Sequence, residues 1–184
     1  CDMAPVQKLV ETYAKWLVLD YNVILIGHRR YVDANQIDPV DVLDNPSQML
    51  ELPPVSTKNK VMANSPTKDW REPIYEETQM LLNSPHPFRT SSCGNVAFNK
   101  RIFEHAGNFD ENFTAWGAED NEFGYRVWNA GYYFIPLLEA LGLHQEPPGG
   151  REFVDREAGK LITRPMLLDK VPIYRDYNPE IVST

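Results

Sequence analysis

Two adjacent carboxylates, Glu119 and Asp120, come shortly after a tryptophan and a glycine, Trp116 and Gly117. The pattern predicts a helix that begins at Glu119, so both carboxylates lie where free backbone N–H groups and the helix dipole favour negative charge. Acidic residues are common in a first helical turn, and on its own the pair indicates no more than that. A carboxylate beside an aromatic ring is also a common way to hold a sugar, because the ring stacks on its apolar face. The segment is therefore either an ordinary helix start or one wall of a sugar site.

Asp2 and His144 are candidate ligands of a divalent cation. Each has a simpler explanation by itself, since Asp2 can cap the first predicted helix and a lone histidine at a strand end is more often a core residue. Together they offer a carboxylate oxygen and an imidazole, which leaves other positions for phosphate oxygens and water. That combination suits Mn²⁺ or Mg²⁺ bound with a nucleotide diphosphate.

A third candidate is the turn Ser92 to Asn95, which precedes a predicted strand. Gly94 lets the backbone approach a ligand closely, although a tight turn is the plainer explanation. The sequence contains no phosphate-binding P-loop, dinucleotide fingerprint, zinc-protease motif or esterase elbow. Those four enzyme classes lose their simplest support.

The composition of the 184 residues, 42% hydrophobic and 24% charged, is that of a soluble globular domain with one core. Its net charge of −8 repels a polyanion, so nucleic acid is not an expected partner. Cys1 and Cys93 are too few for a disulfide framework. No run approaches the roughly 18 to 20 apolar residues that a membrane helix needs, and no leader is recognisable. We expect a cytoplasmic chain without a transmembrane segment, with peripheral association with the inner membrane left open.

Helical and strand patterns alternate along the chain, which indicates an α/β fold. The predicted helices are Pro5 to Leu17, Lys100 to His105 and Glu119 to Ala130. The predicted strands are Asn22 to Ile26, Asn95 to Phe98, Tyr132 to Ile135 and Ala140 to Leu143, with Tyr31 and Val32 extending the first strand past a turn at Gly27. These elements must position the carboxylates, the histidine and the glycine turn.

The segment from Asp33 to Pro87 has weaker patterns, because frequent prolines forbid long regular elements. Short helices are predicted near Pro39 to Leu43 and Tyr75 to Leu82. A tract of this length is more often a functional excursion than a linker, and no boundary divides the chain into two domains.

Several motifs in fixed order make the sequence recognisable: Cys93 to Phe98, Ala106 to Glu111, Trp116 to Arg126 and His144 to Gly149. In these the chain resembles the family 2 glycosyltransferases of the GT-A fold. The likeness is strongest to the N-acetylhexosaminyltransferase module of bacterial chondroitin and hyaluronan synthases. Cys1 to Pro5 looks like the family's Asp-x-Asp metal motif without its first aspartate. The resemblance spans nearly the whole chain.

The resemblance implies roles for individual residues. Asp120 matches the catalytic base, and Asp2 and His144 match ligands of a Mn²⁺ or Mg²⁺ cofactor. The substrate-binding positions that it implies are Glu119, Trp116, Gly117, Gly94 and Asn95. Two departures stand out, because Cys93 replaces a usual glycine and the run Gly150 to Glu152 replaces a more acidic one.

The implied reaction is inverting transfer of a hexose or N-acetylhexosamine from a UDP-sugar donor to a glycan acceptor, in polysaccharide synthesis. Asp120 would take the proton of the acceptor hydroxyl. In the family, the strands that bind uracil and ribose precede the metal motif. The resemblance therefore implies that residues 1–184 are one partial domain, the C-terminal half of the GT-A sheet with its helices, and lack the nucleotide-binding half. Such a chain would be inactive or nearly so alone.

A second hypothesis is a non-catalytic carbohydrate- or metal-binding module derived from the same fold. It predicts glycan binding that survives loss of the Asp120 carboxylate and does not depend on a nucleotide donor. The enzyme hypothesis predicts that the same loss abolishes transfer. The donor sugar, the acceptor, the linkage and the oligomeric state are not determined by the sequence.

Overall fold

The computed structural model describes residues 3–32, 38–52, 69–145 and 156–175. Within these ranges a four-stranded sheet carries helices on both faces. The strands are β1 (Met3–Pro5), β2 (Val23–Val32), β3 (Val96–Phe98) and β4 (Tyr133–Gln145). The helices are α1 (Leu9–Leu17), α2 (Pro39–Asp44), α3 (Glu72–Glu77), α4 (Ile102–Ala106), α5 (Glu119–Asn129) and α6 (Arg156–Lys170).

The sheet is mixed, with the strand order β1-β4-β2-β3. β4 runs parallel to β2, whereas β1 and β3 are antiparallel to the strands they join. A parallel pair needs a long crossover, which the segment between β2 and β4 supplies together with α4 and α5. The carboxyl ends of β2 and β4 consequently meet at one edge of the sheet, where Met3 of β1 pairs with His144.

Successive side chains of β2 enter two separate cores, because they alternate between the faces of the sheet. Leu25 packs with Tyr13 of α1 on one face. Ile24 belongs to the larger cluster on the other face, together with Phe123 of α5 and Leu167 of α6. Burying each large apolar side chain contributes about 1.5–3 kcal/mol. The sheet is thereby fixed between α1 on one side and α5 and α6 on the other.

The pairing of β2 with β4 is irregular in its middle. Gly27 pairs with Leu137 and the next residue, His28, pairs with Leu141, so residues 138–140 of β4 are extra. The predicted turn at Gly27 is wrong, since β2 runs unbroken from Val23 to Val32, and the predicted extension to Tyr31 and Val32 is confirmed. The predicted division of β4 into two strands is also wrong, because the extra residues interrupt the pairing without ending the strand.

Asn95 holds this irregularity together. Its amide nitrogen donates hydrogen bonds to the carbonyl oxygens of His28, at 2.8 Å, and Ala140, at 2.9 Å. Its amide oxygen accepts one from the hydroxyl of Tyr13, at 2.8 Å. The buried carbonyls that lose regular ladder partners are satisfied by this one side chain. Gly27 lies directly against the same groups.

A buried ion pair between Arg71 and Asp69 is hydrogen-bonded to the backbone of β2. Arg71 and Asp69 are fully buried, and the Arg71 Nε donates to the Asp69 carboxylate at 2.9 Å. Arg71 Nη2 also donates to the carbonyl of Gly27, at 2.8 Å, and Asp69 accepts from the backbone N–H of Arg29, at 3.1 Å. Burial alone would raise the pKa of Asp69, but Arg71 holds it below its ordinary value. Removing one partner of such a pair costs about 3–5 kcal/mol.

The first helix begins later than its pattern predicts. Pro5 belongs to β1 and pairs with Gly142, so the predicted start of the helix at Pro5 is wrong. The chain turns at Lys8, whose φ of 77° is left-handed, and α1 then starts at Leu9. β1 is too short for a sequence pattern to indicate it.

The helices α2, α4 and α5 lie close to their predicted ranges, whereas α3 ends at Glu77 and covers only the start of the helix predicted near Tyr75 to Leu82. The α/β class, with a mixed sheet and flanking helices as in half of a GT-A domain, is confirmed. α6 is not predicted by the residue pattern, because Pro165 and Gly159 inside it are poor helix formers. None of the helices in the described ranges has the length and apolar character needed to cross a bilayer. That residues 1–184 form one partial domain stays a prediction.

The close packing at the irregularity can be tested with two alanine substitutions. We expect Gly27→Ala to destabilise the chain by about 1–3 kcal/mol, because the added Cβ would overlap the Tyr13 hydroxyl and the Asn95 amide and lie 2.6 Å from the Ala140 oxygen. Gly94→Ala is the matched control, since its Cβ would meet its nearest atom at an ordinary 3.6 Å. Urea unfolding of both variants measures the difference. Equal stabilities would contradict the packing described.

Candidate active site

The entry to α5 has an unusual backbone. Gly117 has φ of 95° and Ala118, the residue before the helix, has φ of 80°. Glycine adopts this left-handed region freely, whereas alanine does so at a cost. Two successive left-handed residues turn the chain sharply and begin α5 at Glu119, as predicted. A Cβ on Gly117 would meet nothing within 4 Å, so conformation and not space requires glycine there.

Asp120 lies in the first turn of α5, close to a thiol and near a buried cation. The side chains of Asp120 and Cys93 interact. Burial first, and then Asp120, raise the pKa of the Cys93 thiol, so that the thiol stays protonated and remains a donor at neutral pH. The charge of Asp120 also interacts favourably with the guanidinium of Arg29. Sequence reasoning assigned no role to Cys93 or Arg29.

Glu119 is partly buried beside Asp120. Burial, followed by the negative charge of Asp120, raises the pKa of Glu119, although backbone N–H groups of the same turn act in the opposite direction. In the part of the chain that the structure describes, its Oε2 atom is enclosed and has no hydrogen-bond partner. Two neighbouring carboxylates in different environments are able to hold different protonation states.

Gly94 and Asn95 occupy different positions relative to the site. A Cβ on Gly94 would lie 3.6 Å from Met3 Cγ and 3.7 Å from Arg29 Nη1, so the glycine backbone lies over β1 and β2. Asn95 is only 6% exposed, and both ends of its amide are used inside the protein as described above. Asn95 therefore acts on the site only indirectly, through the strands that its hydrogen bonds join.

Trp116 is 39% exposed and is held by α6. The Arg156 guanidinium lies 5.2 Å and the Lys160 ammonium 5.6 Å from the centre of its ring. Gly159 allows the backbone of α6 to approach, because a Cβ there would come within 2.9 Å of the Trp116 nitrogen. The Thr163 hydroxyl donates to the Trp116 carbonyl at 3.3 Å. Two cationic side chains therefore lie over the Trp116 ring.

His144 lies near the carboxyl end of β4, opposite Met3 of β1. Its ring is 5.0 Å from that of Tyr31, which pairs with it from β2. Asp2, the other predicted metal ligand, lies outside the described residues. Within those residues no cluster of three or more histidine, cysteine, aspartate or glutamate side chains is able to hold a metal ion. The strand register nevertheless brings Met3, the chain neighbour of Asp2, directly opposite His144.

The structure brings most of these features to one edge of the sheet. β2 and β4 end there, and Gly94 lies against Arg29 of β2. Asp120 joins them through its interactions with Cys93 and Arg29. Ligands of open α/β sheets bind outside the carboxyl ends of the strands, so this edge is the candidate active site.

Comparison with known proteins gives consistent results. Residues 80–142, which run from before the Cys93 turn to the middle of β4, match a family model described as the N-terminal domain of galactosyltransferase. The chain is 44% identical over 183 residues to a hyaluronan synthase of Pasteurella multocida. The matched region is 97% of the chain and 19% of that protein. The chain is also 44% identical over 177 residues to a chondroitin synthase of Escherichia coli, covering 95% of the chain and 26% of that protein.

A more distant match is confined to part of the chain. Polypeptide N-acetylgalactosaminyltransferase 3 of Mus musculus is 33% identical over 64 residues, which is 34% of the chain and 10% of that protein. The chain thus spans about a fifth to a quarter of the length of the two bacterial synthases. The activities in these names belong to much longer proteins.

The environment of Glu119 predicts a pH-dependent effect on stability. Because its pKa is raised in the folded chain, the neutral form contributes stability that is complete below the ordinary value of 4.5 and is lost as pH rises through the folded value. Glu119→Gln removes this loss. We expect its Tm to exceed that of the wild type by an amount that grows as the pH rises above 4.5 and through the folded pKa of Glu119. The exposed Glu111, changed to Gln, is the control, and a lower Tm for Glu119→Gln at the higher pH would contradict the assignment.

Proposed function

Because the chain belongs to the family 2 glycosyltransferases of the GT-A fold, we propose that it transfers a hexose or N-acetylhexosamine from a UDP-sugar to a glycan acceptor with inversion. The reaction would serve polysaccharide synthesis, as the names of the two bacterial relatives suggest. The position of Asp120 is the observation that carries this proposal. It is the first-turn carboxylate that interacts with both the Cys93 thiol and the Arg29 charge.

Asp120 is proposed as the general base. Its carboxylate takes the proton of the acceptor hydroxyl as the acceptor oxygen bonds to the anomeric carbon. The bond from that carbon to the diphosphate oxygen breaks, and its electron pair leaves with the diphosphate. A carboxylate is a sufficient base, since the hydroxyl becomes acidic as the new bond forms. The Cys93 thiol beside it is neutral and adds no second negative charge there.

Trp116 and Glu119 are proposed to orient the acceptor. The partly exposed tryptophan ring offers a surface for the apolar face of a sugar, and α6 holds the ring in position. The Glu119 carboxylate is proposed to accept a hydrogen bond from a sugar hydroxyl. Gly117 leaves open space beside them, which a larger residue would occupy.

Asp2 and His144 are proposed to hold Mn²⁺ or Mg²⁺. An imidazole and a carboxylate are suitable donors for such a cation, and Met3, the residue after Asp2 in the sequence, pairs with His144. The cation would offset the negative charge that develops on the departing diphosphate. Tyr31 supports the His144 ring from β2.

The base is tested by Asp120→Asn, which keeps the shape of the side chain and removes its basicity. We expect transfer to fall by about 10²–10⁴-fold, because that is the usual contribution of a positioned base, while the affinity for the UDP-sugar stays within about twofold. Transfer is measured with a radiolabelled donor, in the chain expressed with any residues that its gene encodes on either side. Exposed Glu111→Gln is the control.

Each outcome of that experiment identifies one hypothesis. A normal rate for Asp120→Asn would show that the base is another residue. The other outcome is a wild-type protein that transfers no sugar and binds glycan without regard to the donor nucleotide. If Asp120→Asn then binds glycan as well as the wild type does, the result favours the non-catalytic carbohydrate-binding module.

The cation is tested by chelation and by His144→Ala. We expect transfer to cease in excess EDTA and to return with MnCl₂. For His144→Ala, the Mn²⁺ concentration that gives half of the maximal rate should rise by about tenfold or more, because a ligand is lost. His105→Ala is the matched control, since His105 hydrogen-bonds to Tyr132 in a different part of the fold. Transfer that persists after complete removal of divalent cations would disprove the metal requirement.

A further inference from the structure

The Arg29 side chain is a buried cation whose hydrogen-bonding capacity is largely unused. It is 7% exposed, and among the described residues its Nε and Nη2 atoms have no hydrogen-bond partner. Burial first, and then Arg71, lower its pKa, whereas Tyr31, Asp69 and Asp120 raise it. A guanidinium stays charged in proteins, and an unsatisfied buried charge is expensive. The cost calls for an anion that compensates it.

The buried ion pair next to Arg29 does not provide that anion. Both oxygens of Asp69 accept hydrogen bonds from Arg71, and the further bond from Arg29 comes from its backbone N–H and not from its guanidinium. The three residues together carry two positive charges and one negative charge. A net charge of +1 is therefore buried under the active-site edge. Among the described residues, Asp120 attracts the Arg29 guanidinium, but no carboxylate lies within 4.0 Å of it as an ion-pair partner.

The position of Arg29 indicates which anion could reach it. The Nη1 atom lies 3.7 Å from the point that a Cβ on Gly94 would occupy, so this end of the guanidinium faces the Cys93 turn at the candidate site. Along β2, Arg29 is two residues before Tyr31, which contacts His144, and both point to the same face. The guanidinium consequently lies between the side of the site that holds Asp120 and the side that holds His144.

We propose that Arg29 binds a phosphate oxygen of the diphosphate in the sugar donor. This rests on the proposed function and adds a substrate-binding residue to it. The planar fork of N–H donors in a guanidinium matches the oxygens of a phosphate, and a phosphate also removes the uncompensated charge. A sugar hydroxyl would satisfy the donors without neutralising the charge.

The test compares UDP binding by Arg29→Gln, Arg29→Lys and the wild-type protein, each expressed with any residues that its gene encodes on either side. Binding is measured by isothermal titration calorimetry with MnCl₂ present. We expect Arg29→Gln to bind UDP about tenfold or more weakly, as charge-assisted hydrogen bonds are lost, and Arg29→Lys to bind with intermediate affinity. Arg30→Gln is the matched control, because it removes the same charge one residue away, on the opposite face of β2, where Arg30 donates to the Leu50 carbonyl. Its affinity should equal that of the wild type.

The outcomes separate this inference from the proposed function. If the wild type binds UDP and both folded Arg29 variants bind it equally well, Arg29 is not a phosphate-binding residue and the proposed function is unaffected. If the Arg29 variants only lower the Tm without changing the affinity of the folded protein, the role is structural and the inference is wrong. If the wild-type protein itself binds no UDP, the proposed donor is wrong and the inference fails with it. Arg29→Lys keeps the charge, so it provides the comparison should Arg29→Gln not fold.

Discussion

The structure depends on pairing the buried backbone where β2 and β4 lose their regular register. Three extra residues in β4 interrupt the regular pairing, so the carbonyls of Gly27, His28 and Ala140 need other hydrogen-bond donors. Arg71 and Asn95 supply the missing donors. An unpaired buried carbonyl costs about 1–3 kcal/mol, so these side chains are needed for the strands to continue. The site edge exists because β2 runs on past Gly27.

That structural solution has an electrostatic consequence. A guanidinium that reaches a buried carbonyl brings a charge with it, and Asp69 neutralises Arg71 but has no remaining capacity for the side chain of Arg29. The excess positive charge attracts the negative charge of Asp120. Burial and the negative charge of Asp120 raise the pKa of Glu119. The two carboxylates therefore differ in environment although they are neighbours in the chain, which suits one base and one binding group.

Much of the fold follows from local patterns in the sequence. α5 begins at Glu119 as predicted, since Gly117 marks the turn, and the alternation of strands and helices indicates the α/β class. The errors arise where distant residues decide. Pro5 joins a strand because Gly142 pairs with it. β2 continues through Gly27 because the distant side chain of Arg71 donates to the Gly27 carbonyl where the pairing is irregular. A local pattern contains no information about those partners.

The site is predictable to a different degree. Asp120 and His144 carry a motif, and motif residues can be recognised from order and spacing alone. Their surroundings cannot, because Trp116 takes its position from Gly159 and Thr163 of a helix that the residue pattern does not indicate. Arg29 resembles any other strand residue until its burial is known. Chemistry that depends on one side chain can thus be inferred from sequence, whereas the charge and packing that tune it arise only when separate parts of the chain meet.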